Sequence, residues 1–263
     1  MASWIWLTMS ATHSGMPLGG PLAEARSRLG LARRTALVAS LSLNAVVGVV
    51  FVADHLHKRS GGGFFDRAAP AMDGDRAAYL TRQSIFEHLP PVSDDVVFLG
   101  DSQIEEYEWS ETFSRAVNRG IGGDTTAGVL NRLWQIVAAH PRAIFLSIGH
   151  NDQFNLGLTA QQSLDNIHRI VAIIRRESPQ TTVYLESLVP SRNPVKARSR
   201  AEISAGLKAI ADGQKVRYIG FSDALSRDGL LDPAYTFDGE HLNSEGYRVW
   251  TRALSANAPE LAP

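Results

Sequence analysis

The sequence predicts an α/β fold built around a parallel sheet, because short apolar runs alternate with helical patterns from about residue 94 onward. Two runs, 96–99 and 143–148, are almost wholly apolar, as expected of strands that are buried on both faces. Further strands are predicted at 182–188 and 216–219. In open α/β sheets ligands bind beyond the carboxyl ends of the strands, so the residues that follow each run are candidate site residues.

Helical periodicity fills the intervals between these runs. A leading helix is predicted near 73–88, ended by Pro90-Pro91. Its apolar positions are Ala77, Leu80, Ile85 and Leu89. A second helix follows residue 126, with an apolar face of Val129, Leu130, Leu133, Ile136 and Val137. Later helices are predicted at about 161–177, 197–212 and 244–256.

Gly100-Asp101-Ser102 follows the first apolar run directly. A serine at the carboxyl end of such a strand lies in the ligand-binding crevice, where a base can activate its hydroxyl. The alternative is structural, because serine is also a preferred N-cap of a following helix. Ser102 is therefore a candidate nucleophile for acyl transfer, with helix capping as the other interpretation.

A glycine turn, Gly122-Gly123-Asp124, comes just before the second helix. Free backbone N–H groups at a helix N-terminus attract negative charge, and Gly123 has no Cβ to keep an oxyanion away. A plain strand-to-helix turn capped by Asp124 or Thr125 is the structural alternative. A phosphate-binding loop is not predicted, because neither G-x-x-x-x-G-K-[ST] nor G-x-G-x-x-G occurs here.

Two further polar blocks complete the set needed for acyl transfer. Gly149-His150-Asn151-Asp152 follows the run 143–148, where Asn151 either donates its amide to an oxyanion or only forms an Asn-Asp turn. Asp238-Gly239-Glu240-His241 lies near the C-terminus. This spacing lets Asp238 reach one nitrogen of His241 while the other faces a nucleophile. A lone histidine before a helix is often structural, but the nearby Asp and the upstream serine favour a general base.

In this order, the four blocks resemble those of the SGNH or GDSL hydrolases. The resemblance covers about residues 94–256, and 118–126 is most similar to the branch that includes the platelet-activating-factor acetylhydrolase catalytic subunits. It implies a flavodoxin-like, three-layer fold with a five-stranded parallel sheet, and carboxylic ester hydrolysis. By resemblance, Ser102 is the nucleophile, His241 the base and Asp238 its partner. The oxyanion donors are then the amides of Ser102 and Gly123 and the side chain of Asn151.

Several residues depart from the family pattern. Gln103 replaces a leucine-like residue after the serine, and His150 replaces a small residue, commonly threonine. Glu105 and Glu106 place acid near the nucleophile, and with Trp109 they form a polar and aromatic mix that suits a sugar ring. The alternative is that the two glutamates form a solvated loop and Trp109 belongs to the core. A short acyl ester or an acetylated glycan is the expected substrate.

A different serine-hydrolase fold, the α/β-hydrolase fold, requires G-x-S-x-G, which occurs nowhere in the chain. Gly220-Phe221-Ser222 follows another strand but has no glycine turn behind it, so Ser222 is expected to be structural. The formal charge of −1 argues against a nucleic-acid partner. The absence of cysteine excludes disulfides, thiolate zinc sites and a cysteine nucleophile. No cofactor or metal is predicted.

The N-terminal part predicts a membrane anchor. Residues 35–53 carry no charge and are long enough to cross a bilayer as a helix, and the basic segment 1–34 precedes them. The positive-inside rule then exports the catalytic part to the periplasm or cell surface. A cleaved signal peptide and a buried core helix are the alternatives, and Met16 is a second candidate start. The predicted organisation is completed by a tether and leading helix at 54–92 and a hydrolase domain at 93–263.

The sequence therefore predicts a membrane-tethered serine esterase that removes a short, acetyl-like acyl group. Two other functions remain open. One is a non-catalytic, envelope-anchored carbohydrate-binding protein on the same fold, because fold alone does not fix function. The other is an O-acyltransferase that uses the same triad to transfer the acyl group to a hydroxyl other than water.

Overall fold

The computed structural model describes residues 73–262. The predicted basic segment 1–34, the predicted anchor 35–53 and the tether up to residue 72 lie outside the described residues, so they stay predictions. Within 73–262, no helix combines the length and the apolar character needed to span a bilayer.

Five parallel strands form one sheet in the order β2-β1-β3-β4-β5. The strands are β1 Val96–Gly100, β2 Ala116–Gly120, β3 Ala143–Ser147, β4 Thr182–Glu186 and β5 Val216–Ile219. This is the flavodoxin-like order, and the predicted α/β fold with a five-stranded parallel sheet is confirmed. Gly100 pairs with both Gly120 and Ser147, so three strands end level with one another. The loops that follow them therefore meet at one edge of the sheet.

Nine α-helices are present in the described part of the chain. They are α1 Asp73–His88, α2 Ser102–Glu105, α3 Trp109–Thr112, α4 Thr126–Arg132, α5 Trp134–Val137, α6 Asp152–Leu156, α7 Ala160–Glu177, α8 Pro194–Ile210 and α9 Ser244–Asn257. The single helix predicted after residue 126 is divided into α4 and α5 at Leu133. Helix α8 starts three residues earlier than predicted, because Asn193 caps it and Pro194 occupies its first turn.

Helices cover both faces of the sheet, which gives three layers. On one face Phe98 and Phe145 pack in a core with Trp250 and Leu254 of α9. On the other face Leu99 and its neighbours pack against apolar residues of α4, α7 and α8. Short β strands at Ser226–Arg227 and Leu230–Leu231 form a separate hairpin, and 3-10 turns lie at Ser222–Leu225, Pro233–Tyr235 and Pro259–Leu261.

Helix α1 buries a face other than the predicted one. Tyr79 and Phe86 are buried and pack with Ile121, whereas Leu80, Ile85 and Leu89 are 47%, 47% and 61% exposed. The guanidinium groups of Arg82 and Arg119 lie over the Phe86 ring at 5.1 and 4.8 Å from its centroid. The aliphatic periodicity predicts the wrong buried face, because aromatic and cationic side chains, and not aliphatic ones, pack this helix against the rest of the domain.

Candidate active site

Ser102 lies at the carboxyl end of β1 as the first residue of α2. Gly100 makes this turn possible, since a Cβ there would lie 2.1 Å from the Ser147 carbonyl oxygen. The cap of α2 is Asp101, whose carboxylate accepts a hydrogen bond from the Gln103 amide at 3.2 Å. The alternative in which Ser102 serves as the helix cap is therefore wrong, and its hydroxyl points elsewhere.

The Ser102 hydroxyl lies 3.0 Å from Nε2 of His241. Nδ1 of His241 lies 2.7 Å from one carboxylate oxygen of Asp238. The other oxygen of Asp238 accepts from the backbone amides of Glu240 and His241, each at 2.8 Å. The carboxylate is thus fixed on its own loop and holds the Nδ1 proton, which leaves Nε2 as the acceptor that faces Ser102.

The ionisation of Asp238 follows from these contacts. Burial by itself raises the pKa of this carboxyl group, but the hydrogen bonds from the His241 ring and from the backbone amides of His241 and Glu240 outweigh it. They hold the pKa of Asp238 well below its usual range. The carboxylate is consequently charged wherever a neutral imidazole is available to act as a base.

The three predicted oxyanion donors surround the same space. Ser102, Gly123, Asn151 and His241 all line one open cavity of about 420 Å³.

Gly123 has a φ of +72°, a left-handed conformation that favours glycine. The neighbouring Gly122 amide is occupied, because it donates to the Glu105 carboxylate. The Asn151 side chain donates one hydrogen to the Asp124 carbonyl at 3.0 Å, which leaves its second hydrogen for a ligand.

The turn at residues 122–126 has a structural role as well. Thr125 caps α4 by accepting from the Gly128 amide at 3.1 Å, in agreement with the capping alternative for this segment. Capping and oxyanion binding are compatible, since Thr125 uses its side chain and Gly123 contributes only its backbone. By contrast, Asn151 begins α6 without a side-chain capping bond, so its amide is not committed to the helix.

Buried ion pairs and hydrogen bonds connect these loops. Arg132 forms an ion pair with Asp124 at 2.8 Å and donates to the Gly100 carbonyl at 3.0 Å. Asp152 accepts from the Thr126 amide at 2.8 Å and from its hydroxyl at 2.5 Å. The sequence did not indicate these pairings, although Asp124 and Asp152 stand in the polar blocks; the signal for them is a charged residue, Arg132, within an apolar helical pattern. They hold the loops that carry Gly123 and Asn151 in fixed positions relative to β1.

His150 forms a second Asp-His pair that is unsuited to act as a base. Its Nδ1 lies 2.8 Å from Asp101, and its Nε2 accepts from the Val189 amide at 3.0 Å. Both nitrogens are occupied and the residue is buried. His150, which stands where the family commonly has threonine, therefore links the loop that carries Ser102 to the loop that carries Asn151.

Glu240 fixes the loop that carries His241. Its carboxylate accepts from Arg200 and from Ser191, each at 2.8 Å, and forms an ion pair with Lys196 at 2.9 Å. Arg200 is buried and also donates to the carbonyls of Val189 and Pro190. The sequence did not reveal this role, because the partners of Glu240 lie on α8 and on the loop before it.

The polar and aromatic mix predicted after Ser102 is only partly present at the cavity. Trp109 is fully buried and stacks on Phe98 with ring centroids 4.0 Å apart, so its predicted contact with a sugar ring is wrong. Glu105 lines the cavity but is paired with Arg82 at 2.8 Å. Glu106 also lines it and lies 3.7 Å from Nε2 of His241. Trp109 points into the core because its ring stacks on the ring of Phe98.

Ser222 lies away from this cavity, as expected of a structural residue. Its amide donates to the Ser187 hydroxyl at 3.0 Å, and it lines a separate cavity with Arg200 and Asp223.

Comparison with known proteins identifies the family of this chain. The model of the GDSL-like lipase/acylhydrolase family matches residues 98–249. Bovine platelet-activating factor acetylhydrolase IB subunit alpha1 is 31% identical over 172 residues, which cover 61% of this chain and 73% of that protein. The rat alpha2 subunit is 33% identical over 167 residues, covering 58% and 71%.

A solved structure from Streptococcus pneumonia, described as a platelet activating factor protein, is similar with a TM-score of 0.62 and 27% identity. The alignment covers 68% of this chain and 92% of that one. The family match takes in the end of β1, all the predicted oxyanion donors and the Asp238–His241 loop. The chain therefore belongs to the GDSL-like lipase/acylhydrolase family and is a carboxylic ester hydrolase.

Proposed function

We propose that this hydrolase uses Ser102 as nucleophile, His241 as general base and Asp238 as the group that orients the base. The observation that carries the proposal is the line of contacts from Ser102 Oγ to His241 Nε2 at 3.0 Å and from His241 Nδ1 to Asp238 at 2.7 Å. Both distances lie within the range needed for proton transfer between positioned groups.

The reaction has two steps. Ser102 Oγ attacks the acyl carbon as its proton passes to Nε2 of His241, and the alcohol leaves with that proton. Water then attacks the acyl-enzyme, His241 takes a proton from it, and Ser102 regains its proton as the acid is released. In both steps the carbonyl oxygen becomes negative, and the amides of Ser102, Gly123 and Asn151 are the proposed donors to it.

Ser102 and Ser222 both lie two residues after a glycine, and replacing each in turn tests which one is the nucleophile. We expect Ser102→Ala to lower turnover of p-nitrophenyl acetate by more than about 10³-fold, because the attacking oxygen is lost. Ser222→Ala is the matched control and should keep parental turnover. A fluorophosphonate should label the parent and the Ser222 variant but not the Ser102 variant. Parental activity in a folded Ser102→Ala protein, checked by circular dichroism, would refute the proposal.

We further propose a short, acetyl-like acyl group. The support is the similarity to relatives named as acetylhydrolases. Acetyl and butyryl esters should be hydrolysed at least about tenfold faster than esters of twelve or more carbons, which corresponds to about 1.4 kcal/mol. A preference for long chains would indicate a lipase-like enzyme instead.

We propose, finally, that residues 35–53 tether the enzyme to a membrane with its catalytic part outside the cytoplasm, where acetylated envelope glycans are candidate substrates. The support is the uncharged run and its basic flank. Alkaline phosphatase fused after Pro263 should be active and should sediment with membranes. Full-length protein in the soluble cytoplasmic fraction would contradict this. Release of free acetate from acetylated glycans would support this substrate class. Transfer of the acetyl group to another hydroxyl would indicate an O-acyltransferase instead.

A further inference from the structure

Glu106 lines the same cavity as Ser102 and His241. Its carboxylate lies 3.7 Å from Nε2 of His241, and its side chain is 45% exposed. Within residues 76–262, His241 is the only basic side chain within ion-pair distance of it. The adjacent Glu105 differs, because Arg82 and the Gly122 amide already bind its carboxylate.

The position of Glu106 is set by the backbone around it. The side-chain amide of Asn118 donates to the carbonyls of Ile104, Glu105 and Tyr107 at 2.9, 3.1 and 3.1 Å. The Glu106 amide itself donates to the Ser102 carbonyl at 3.0 Å. The carboxylate is therefore attached to a segment that is held in place next to the nucleophile, so little ordering is needed when a ligand binds.

The proposed reaction places the leaving alcohol beside this carboxylate. To take a proton from His241, the alcohol oxygen must come within about 3 Å of Nε2. Glu106 approaches the same nitrogen, so substituents a few bonds from the alcohol oxygen pass next to it.

The electrostatics of the cavity favour a positive substituent. None of the described residues that line it is a lysine or an arginine. Burial raises the pKa of Glu106, and the charges of Asp238, Glu105 and Asp101 raise it further, while His241 lowers it. Arg82 neutralises Glu105, so Glu106 is the lining carboxylate that has no lysine or arginine partner among the described residues. Its negative charge attracts cations and repels anions.

We propose that Glu106 makes the enzyme selective for esters whose alcohol portion carries an ammonium group, an inference that rests on the proposed hydrolysis at Ser102. Amino alcohols and amino sugars that carry both an ester and a free amine belong to this class. An anionic group at the same distance from the ester would be rejected, because it would meet the Glu106 carboxylate.

Two esters of nearly identical shape test the inference. Acetylcholine carries a quaternary ammonium group, and in 3,3-dimethylbutyl acetate a neutral carbon replaces that nitrogen. We expect the parent enzyme to prefer acetylcholine in kcat/KM by about fivefold or more, the effect of one charge pair near a protein surface. The preference should fall as salt is added, since screening weakens the attraction. Glu106→Gln should bring the ratio close to one.

Glu108→Gln is the matched control, because Glu108 is exposed on the same segment and does not line the cavity. It should keep the parental ratio and its salt dependence. Equal hydrolysis of the two esters by the parent, or hydrolysis of p-nitrophenyl acetate but of neither ester, would overturn the role of Glu106 and leave the proposed function standing. Failure of the parent on all three esters would overturn the proposed function itself, and the inference with it.

Discussion

The side-chain amide of Gln103 donates a hydrogen bond to the backbone carbonyl of Glu240 across 2.8 Å. Gln103 directly follows Ser102, and Glu240 directly precedes His241, so this bond joins the two loops whose side chains must meet. Tyr247 strengthens the link, since its hydroxyl donates to the Gln103 carbonyl at 2.9 Å. Gln103, which stands where the family has a leucine-like residue, thus has a structural role here. Gln103 is a positioning residue for the contact between Ser102 and His241.

Gln103→Met should lower kcat about fivefold with little change in KM, because methionine keeps the length of the side chain but lacks the donor. A lost hydrogen bond of this kind is worth about 1 kcal/mol. Steady-state kinetics on p-nitrophenyl acetate measure the split between kcat and KM. A change confined to thermal stability, with kcat unaltered, would mean that Gln103 only packs.

Asp238→Asn should lower turnover by up to about 10⁴-fold while the fold is kept, because asparagine no longer holds the Nδ1 proton of His241. The pKa of Asp238 lies below its usual range, so the carboxylate is lost only when the pH falls far into the acid range. The parental carboxylate is therefore fully charged at pH 8, and the loss should be complete when turnover is measured there. A folded Asn variant that hydrolyses p-nitrophenyl acetate as fast as the parent at pH 8 would contradict the assignment.

Asn151→Ala should lower kcat about 10²- to 10³-fold, the usual effect of removing one oxyanion donor. Its effect on stability should be about 1 kcal/mol, since alanine loses the hydrogen bond to the Asp124 carbonyl but no capping bond to α6. The exposed Asn257, at the end of α9, provides a control in Asn257→Ala. Similar kinetics for the two variants would exclude the Asn151 amide from the oxyanion site.

The strand-end blocks were predictable because each brings its chemistry within a few consecutive residues. The three-residue spacing of Asp238 and His241, for example, becomes a direct hydrogen bond. The supporting contacts were not predictable in this way. Gln103 and Glu240 are 137 residues apart, and the sequence around either residue does not indicate the other as its hydrogen-bond partner.

Side-chain type also limited the prediction. The aliphatic residues of α1 predict one buried face, but the face that is buried carries Tyr79 and Phe86 instead. Trp109 was ambiguous between a ligand contact and the core, and only the position of Phe98 on β1 decides between them. Periodicity identifies a helix, but which face is buried depends on the partner surface that the fold supplies.

Glu186 should make the folded protein less stable as the pH rises. The residue ends β4, it is fully buried, and neither carboxyl oxygen has a hydrogen-bond partner within the described part of the chain. Burial raises the pKa of Glu186 well above its usual value, and the nearby indole N–H of Trp250 offsets only part of this. A pKa raised by folding means that stability is full below the unfolded pKa of about 4.3 and declines as pH rises towards the folded value.

Glu186→Gln should remove this decline, because a neutral amide of nearly the same shape has no charge to bury. We expect the melting temperature of the variant to exceed that of the parent at pH 8 by at least about 2–4 °C, the effect of about 1 kcal/mol in a domain of this size. At pH 5 the two proteins should differ less. Glu177→Gln, at an exposed position on α7, should leave the parental pH dependence intact. If Glu186→Gln and the parent lose stability in parallel between pH 5 and pH 8, the carboxyl group does not stay protonated in the folded protein.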